Sequence, residues 1–190
     1  MSKKIICFLF LLFLFSLNNF AQTKTNEAVE QQIKNLHLGQ SFKLTCNPES
    51  GMSKIMVIAD DFGYEQDKAA KVQGFSFGMA FFYQGKTLTI APDEINLTFW
   101  VKTNKPRFAE NHHLTVFIGN ETLDLGDARY AAKPNENMEY LNFKISRIDL
   151  QKMGNSSEAK IKIGEAEFRF LPSHLRVFSG MAKISNPSDF

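Results

Sequence analysis

The spacing of apolar and polar positions changes character along this chain. Behind an apolar run at the start comes "TNEAVEQQIKNLHLGQ", mostly polar, with Val29, Ile33 and Leu36 at helical spacing. That spacing predicts a short helix over 27–35 capped by Asn26, or a loosely held arm. From residue 41 onward the period becomes two, the mark of half-buried strands. In "GFSFGMAFFY", Phe75, Phe77, Met79, Phe81 and Tyr83 fall on one face. Ser76, Gly78 and Ala80 fall on the other, where small side chains leave room for a bulky group to pack closely.

The same alternation continues. "QGKT" is a tight turn from which "KTLTIAP" returns as a strand, and in "EINLTFWVK" Ile95, Leu97, Phe99 and Val101 oppose Asn96, Thr98, Trp100 and Lys102. Leu141, Phe143 and Ile145 oppose Tyr140, Asn142 and Lys144 in the next long strand. "LTVFIGNETLDLG" and "AKIKIGEAEFRF" read as hairpins closed by Gly119-Asn120 and Gly164-Glu165, and a leading glycine suits a type II′ turn. Ser146 with Asp149 three residues on forms a near capping box for a short helix. Pro172 opens a closing helix with Leu175, Phe178 and Met181 or Ala182 on its apolar stripe. Turn signals recur about every ten residues, which predicts an antiparallel β-sandwich of roughly seven to nine strands. One or two short helices, including the C-terminal one, complete the expected fold.

The order of strand, capped helical turn, "KIKIGEAEFRF" hairpin and closing "LPSHLRVFSGMAKI" helix resembles small secreted bacterial β-sandwich domains of unassigned function. The resemblance covers about the last 50 residues. It implies a fold and a location, and it brings no catalytic residue to this chain. The ending "NNFAQ" of the first segment, with the usage of Lys, Asn and Phe, resembles that of an AT-rich Gram-negative bacterium.

The N-terminal run changes the picture of where the domain begins. Lys3 and Lys4 precede an apolar stretch from Ile5 to Leu17, and a short polar segment leads to Ala21. This is the layout of a secretory signal peptide cleaved after residue 21. The run is short for a spanning helix, which needs roughly 20 residues. The expected organisation is a signal peptide over 1–21, a short helix or arm over 22–40 and one β-sandwich domain over 41–190. No later segment reaches membrane-spanning length, so the expected location is extracytoplasmic, either periplasmic or secreted. Without Lys3 and Lys4, 20 basic residues balance 20 acidic ones. Near-neutral charge argues against a nucleic-acid partner. Cys7 is lost with the signal, so Cys46 stands alone and no internal disulfide forms. It alternates with Phe42 and Leu44, which predicts burial as a small hydrophobe, with a reactive thiol or an intermolecular bridge as the alternative.

Candidate chemistry is thin. "IADDFGYEQD" at 58–67 holds four acids, yet neither start at Asp60 nor start at Asp61 meets the EF-hand spacing. Its Asp-Phe-Gly stands without the glycine-rich loop, strand lysine and His-Arg-Asp loop that give that triplet meaning in a kinase. A surface turn is the expected reading, with an irregular calcium site of Asp60, Asp61, Glu65 and Asp67 as the alternative. His112 and His113 are adjacent and face opposite ways on a strand; with His37 and His174 they read as exposed loop histidines. No nucleophile elbow or zinc spacing occurs, so no catalytic residue and no cofactor is assigned. Asn96, Asn120 and Asn155 each begin an Asn-x-Ser/Thr triplet, which matters only in a eukaryotic secreted protein.

Strand parity leaves one constellation. Trp100, Phe117 and Tyr140 all lie on the polar sides of their strands. On neighbouring strands they would form one aromatic face suited to a protein or glycan contact, unless a second layer covers them. The sequence thus points to a non-catalytic binding protein whose partner is an envelope or secreted protein, with a glycan as a second ligand class. Two alternatives stand beside it: a hydrolase acting on a glycan or peptide with carboxylates gathered from separate strands, and a structural or assembly subunit.

Overall fold

The computed structural model describes residues 24–36 and 42–188. The proposed signal peptide lies outside the described residues. Two antiparallel sheets build the fold. The larger has the strand order β2 (Phe42–Cys46), β3 (Met52–Ile58), β4 (Gln73–Gln84), β6 (Glu94–Lys102), β10 (Met138–Ser146) and β9 (Arg129–Lys133). The smaller runs β12 (Ala166–Arg169), β11 (Lys160–Ile163), β7 (His113–Ile118) and β8 (Glu121–Asp127). A two-residue ladder joins β1 (Lys24–Thr25) to β5 (Thr87–Leu88). The fold is mainly β, a sandwich of ten strands in its two main sheets among the described residues, which exceeds the seven to nine expected.

Parity decides which face is core. Phe75, Phe77, Met79, Phe81, Leu97, Phe99, Leu141 and Phe143 are buried on the inner face of the large sheet. Leu114, Val116, Ile161, Ile163 and Phe168 face them from the small sheet. Rings lock the two layers together: Phe75 stacks on Phe168 at 4.0 Å between centroids and on Phe99 at 5.3 Å. Helix α4 (Pro172–Ile184) covers the rest of the inner face, with Phe178 stacked on Phe77 at 5.0 Å. Helix α3 (Arg147–Asn155) packs on α4 so tightly that a Cβ at Gly154 would lie 2.4 Å from the Ser179 backbone nitrogen.

Local expectations hold at several points. The Ser146 hydroxyl accepts from the Asp149 backbone N–H at 3.0 Å as the N-cap of α3. Gly119 and Gly164 both adopt φ of +57°, as a leading glycine in a II′ loop does. Helix α1 spans Asn26–Asn35, but Thr25 rather than Asn26 caps it. Asn26 instead bonds to Tyr83 and Ser53, and Val29 is fully buried, so this segment is docked rather than loosely held. "KTLTIAP" supplies only Thr87 and Leu88 to a ladder, and the partner is β1 rather than β4. Cys46 is exposed, because it ends an edge strand whose burial fades after Phe42.

Candidate functional site

The outer face of the large sheet carries no second layer of described residues. Across it, Trp100 pairs with Tyr140 on one side and with Ser76 on the other. Tyr140 pairs in turn with Ala131. The indole lies over Gly78: a Cβ there would meet Trp100 Cζ3 at 3.1 Å and Cη2 at 3.2 Å. Ile58 sits opposite Gly78, and Phe82 follows Ala80 on the same face; they are 48% and 50% exposed. Lys54 Nζ lies 5.7 Å from the Phe82 ring centroid and Lys133 Nζ 5.4 Å from that of Tyr140, within cation–π range. Thr98 donates to Asn142 Oδ1 at 2.9 Å, tying β6 to β10 beside the indole.

Phe117 does not belong to this face. It lies on the outer side of the small sheet, opposite Lys160 and Thr122, because β7 pairs with β11 and β8 rather than with β6 or β10. There it lines a cleft of about 360 Å³ with Gly119, Glu158, Ala159, Lys160 and Glu167. A glycosidic acid–base pair needs two positioned carboxyls in different environments. Both glutamates here are exposed.

The four acids of 58–67 do not gather into one ligand set either. The Asp61 carboxylate accepts from the Gly63 backbone N–H at 3.0 Å, whereas Asp67 turns inward, 7% exposed. Asp67 lies within α2 (Tyr64–Ala70), and its carboxylate accepts from the backbone N–H groups of Gly74 (2.5 Å) and Phe75 (3.3 Å). Burial pushes its pKa up, and those backbone bonds pull against the shift. Among the described residues no group of three or more His, Cys, Asp or Glu side chains is placed to hold a metal. The surface-turn reading also fails at its centre. Phe62 is buried, with the rings of Phe75, Phe77, Phe168, Phe170 and His174 all between 4.6 and 6.0 Å away.

The histidines differ from one another. His174 is fully buried in the first turn of α4, where Nδ1 accepts from the Leu171 N–H at 3.2 Å and Nε2–H donates to the Asp60 carbonyl at 3.0 Å. Burial holds its pKa below the usual imidazole value. His113 contacts Asp127 at 2.9 Å and Asp124 at 2.8 Å, and the Asp127 bond raises its pKa. His112 stacks on Tyr130.

Parity also sorts charge, a signal that counting the whole chain misses. Lys43, Lys54, Lys102, Arg129, Lys133 and Lys144 occupy outer-face strand positions of the large sheet, against the single acid Glu94. Glu94 pairs with Lys144 at 3.8 Å, and Lys133 pairs with Glu136 at 3.3 Å. A chain of small net charge therefore presents one basic face.

At the Lys102 end of that face opens a cleft of about 460 Å³ lined by Lys71, Val72, Gln73 and residues 102–107. Two buried carboxylates brace its walls. Asp67 holds the register shift between Gln73 and Ser76 through the two N–H groups already described. Glu139, 2% exposed, accepts from the backbone N–H groups of Arg107 (2.8 Å) and Phe108 (3.0 Å) and from the Tyr130 hydroxyl (2.9 Å). Burial, then the Glu139 carboxylate, push the Tyr130 phenol up to about 12.

Comparison with family models, curated proteins and solved structures returned no match.

Proposed function

We propose that this protein is a non-catalytic binding module acting outside the cytoplasm, and that its contact surface is the outer face of the large sheet. The partner is an envelope or secreted protein. One observation carries the reading: Trp100 and Tyr140 are register partners on a sheet face that no second layer of described residues covers, with Ile58 and Phe82 about half exposed beside them. Aromatic anchors ringed by polar side chains are the usual core of a protein interface. Trp100 is already seated against Gly78, so little rotamer freedom is left to lose on binding. The extracytoplasmic location rests on the secretory layout of residues 1–21. The two exposed glutamates beside Phe117 give no specific support to the hydrolase alternative, and nothing in the fold favours the assembly-subunit one.

The test is affinity capture of tagged protein from crosslinked native cells, run in parallel with Trp100→Ala and Phe117→Ala. The expected result is one envelope or secreted partner that is lost with Trp100→Ala and kept with Phe117→Ala, from bait whose N-terminus is Gln22. Equal recovery with Trp100→Ala overturns the assignment of the face.

A further inference from the structure

The geometry points to the cleft between Lys71 and Arg107 as a binding site for a tetrahedral oxyanion, a phosphate or sulfate group. This goes beyond the sheet-face reading and does not depend on it. Four cations, Lys71, Lys102, Lys105 and Arg107, line one cleft that contains no acidic lining residue. None of the four takes part in an ion pair among the described residues. Gathering like charges in a concave site raises the local potential, and a multiply charged anion relieves it best.

Three features say that the cleft is built rather than incidental. Its two walls are fixed from behind by Asp67 and Glu139, the two buried carboxylates among the described residues. Arg107 Nε donates to the Ala70 carbonyl at 3.3 Å, which ties one wall to the other and holds the guanidinium at the rim. Lys71 is the C-cap of α2 in the left-handed region, φ +60° and ψ +42°. Glycine or asparagine ordinarily takes that position, since a Cβ there is unfavourable. A lysine kept in a strained conformation, at the mouth of a basic cleft, is what a functional requirement for its charge produces.

The anion arrives either free or carried on a larger ligand that lies along the adjoining face, because Lys102 belongs to both surfaces. Two titrations of ¹⁵N-labelled residues 22–190 at fixed ionic strength separate these sources: inorganic phosphate against chloride, and dextran sulfate against neutral dextran. Saturable amide shifts confined to 71–74 and 102–107 are expected. The Lys71→Gln/Lys105→Gln pair should weaken binding about tenfold, since an exposed ion pair is worth roughly two- to fivefold. Phosphate binding that Trp100→Ala leaves unchanged assigns a free ion. Tighter polymer binding that Trp100→Ala weakens assigns a carried group. A Lys71→Gly variant separates charge from folding: it should melt at a higher temperature while binding more weakly. No saturable shift, shifts spread evenly over Lys43, Lys54 and Lys144, or full affinity in both lysine variants overturns the proposal. Loss of partner capture by Trp100→Ala with anion binding intact shows that the sheet face and the cleft act separately.

Discussion

Replacing Glu139 with Gln removes a buried negative charge and nothing of the side chain's size. The carboxylate takes three donors, the N–H groups of Arg107 and Phe108 and the Tyr130 hydroxyl. An amide offers one carbonyl oxygen in their place and turns an NH₂ toward the remaining donors. One backbone N–H is then left without an acceptor in a buried setting, at about 1–3 kcal/mol. Loss of the charge-assisted character of the surviving bonds adds about 1 kcal/mol. The expected loss of stability is about 2–4 kcal/mol, read from the urea midpoint at unchanged m-value. Glu136→Gln, exposed in its pair with Lys133, is the control and should stay within about 0.5 kcal/mol.

A second readout comes from the same variant. Tyr130 titrates at about 12, raised first by burial and then by Glu139. Of the four tyrosines, two should therefore ionise late in an ultraviolet phenolate titration: Tyr83, whose phenol burial also pushes up, and Tyr130, with its midpoint at about 12. Glu139→Gln should bring that midpoint down without returning it to the ordinary phenol value, because burial remains. The sign for stability follows. A phenol whose folded pKa is raised keeps its proton longer folded than unfolded, so stability falls as the pH climbs above the ordinary phenol value toward 12. A cost below 1 kcal/mol, or an unmoved late midpoint, would refute the account of Glu139 as the clamp of the crossover between β6 and β7.

Two further outcomes follow from buried groups. Phe62→Ala should cost about 3–5 kcal/mol, from lost apolar transfer plus the void left among five rings, whereas Tyr64→Ala, largely exposed two residues on, should stay within about 0.5 kcal/mol; urea unfolding checks both. His174 is held below the usual imidazole pKa by burial, so the unfolded chain takes up its proton first and stability should fall as the pH drops below about 6.5. His113, with its pKa raised by Asp127, works the other way: its contribution is full below the unfolded value and lost as the pH rises through the folded one. Melting curves from pH 5 to 8 on Asp127→Asn protein, which removes the main cause of that opposing shift, isolate the His174 slope; a flat profile there would show that His174 is not held neutral.

Which of these residues a reader of the sequence could find depends on how far their partners lie along the chain. Faces set by alternation within one strand were legible, so Trp100 and Tyr140 were both placed opposite the core residues of their own strands. Ser146 and Pro172 were legible because their caps are satisfied within one helical turn. The same parity sets the face of Phe117, but parity says nothing about which sheet a strand joins, and β7 belongs to the smaller one. Phe62 is not legible in the sequence, because a single apolar residue among acids has no period of its own. Its cage comes from Phe75, Phe168, Phe170 and His174, two segments of chain that share no local signal with it.

Charge shows the same division between local and assembled information. A net count over the chain averages away the sidedness that strand geometry creates, yet Lys102 and Lys144 already stood with Trp100 and Tyr140 on the polar parity. Among the described strand residues the charged side chain that breaks its pattern is Glu139, which shares the parity of Leu141, Phe143 and Ile145 and so belongs to the buried face. An unpaired carboxylate on a core face is too costly to leave unsatisfied, so it implies donors arriving from elsewhere. Those donors are the backbone of the loop that carries Lys105 and Arg107 to the cleft. The buried acid and the basic cleft are thus two ends of one arrangement, in which a charge hidden in the core fixes the charges presented to solvent.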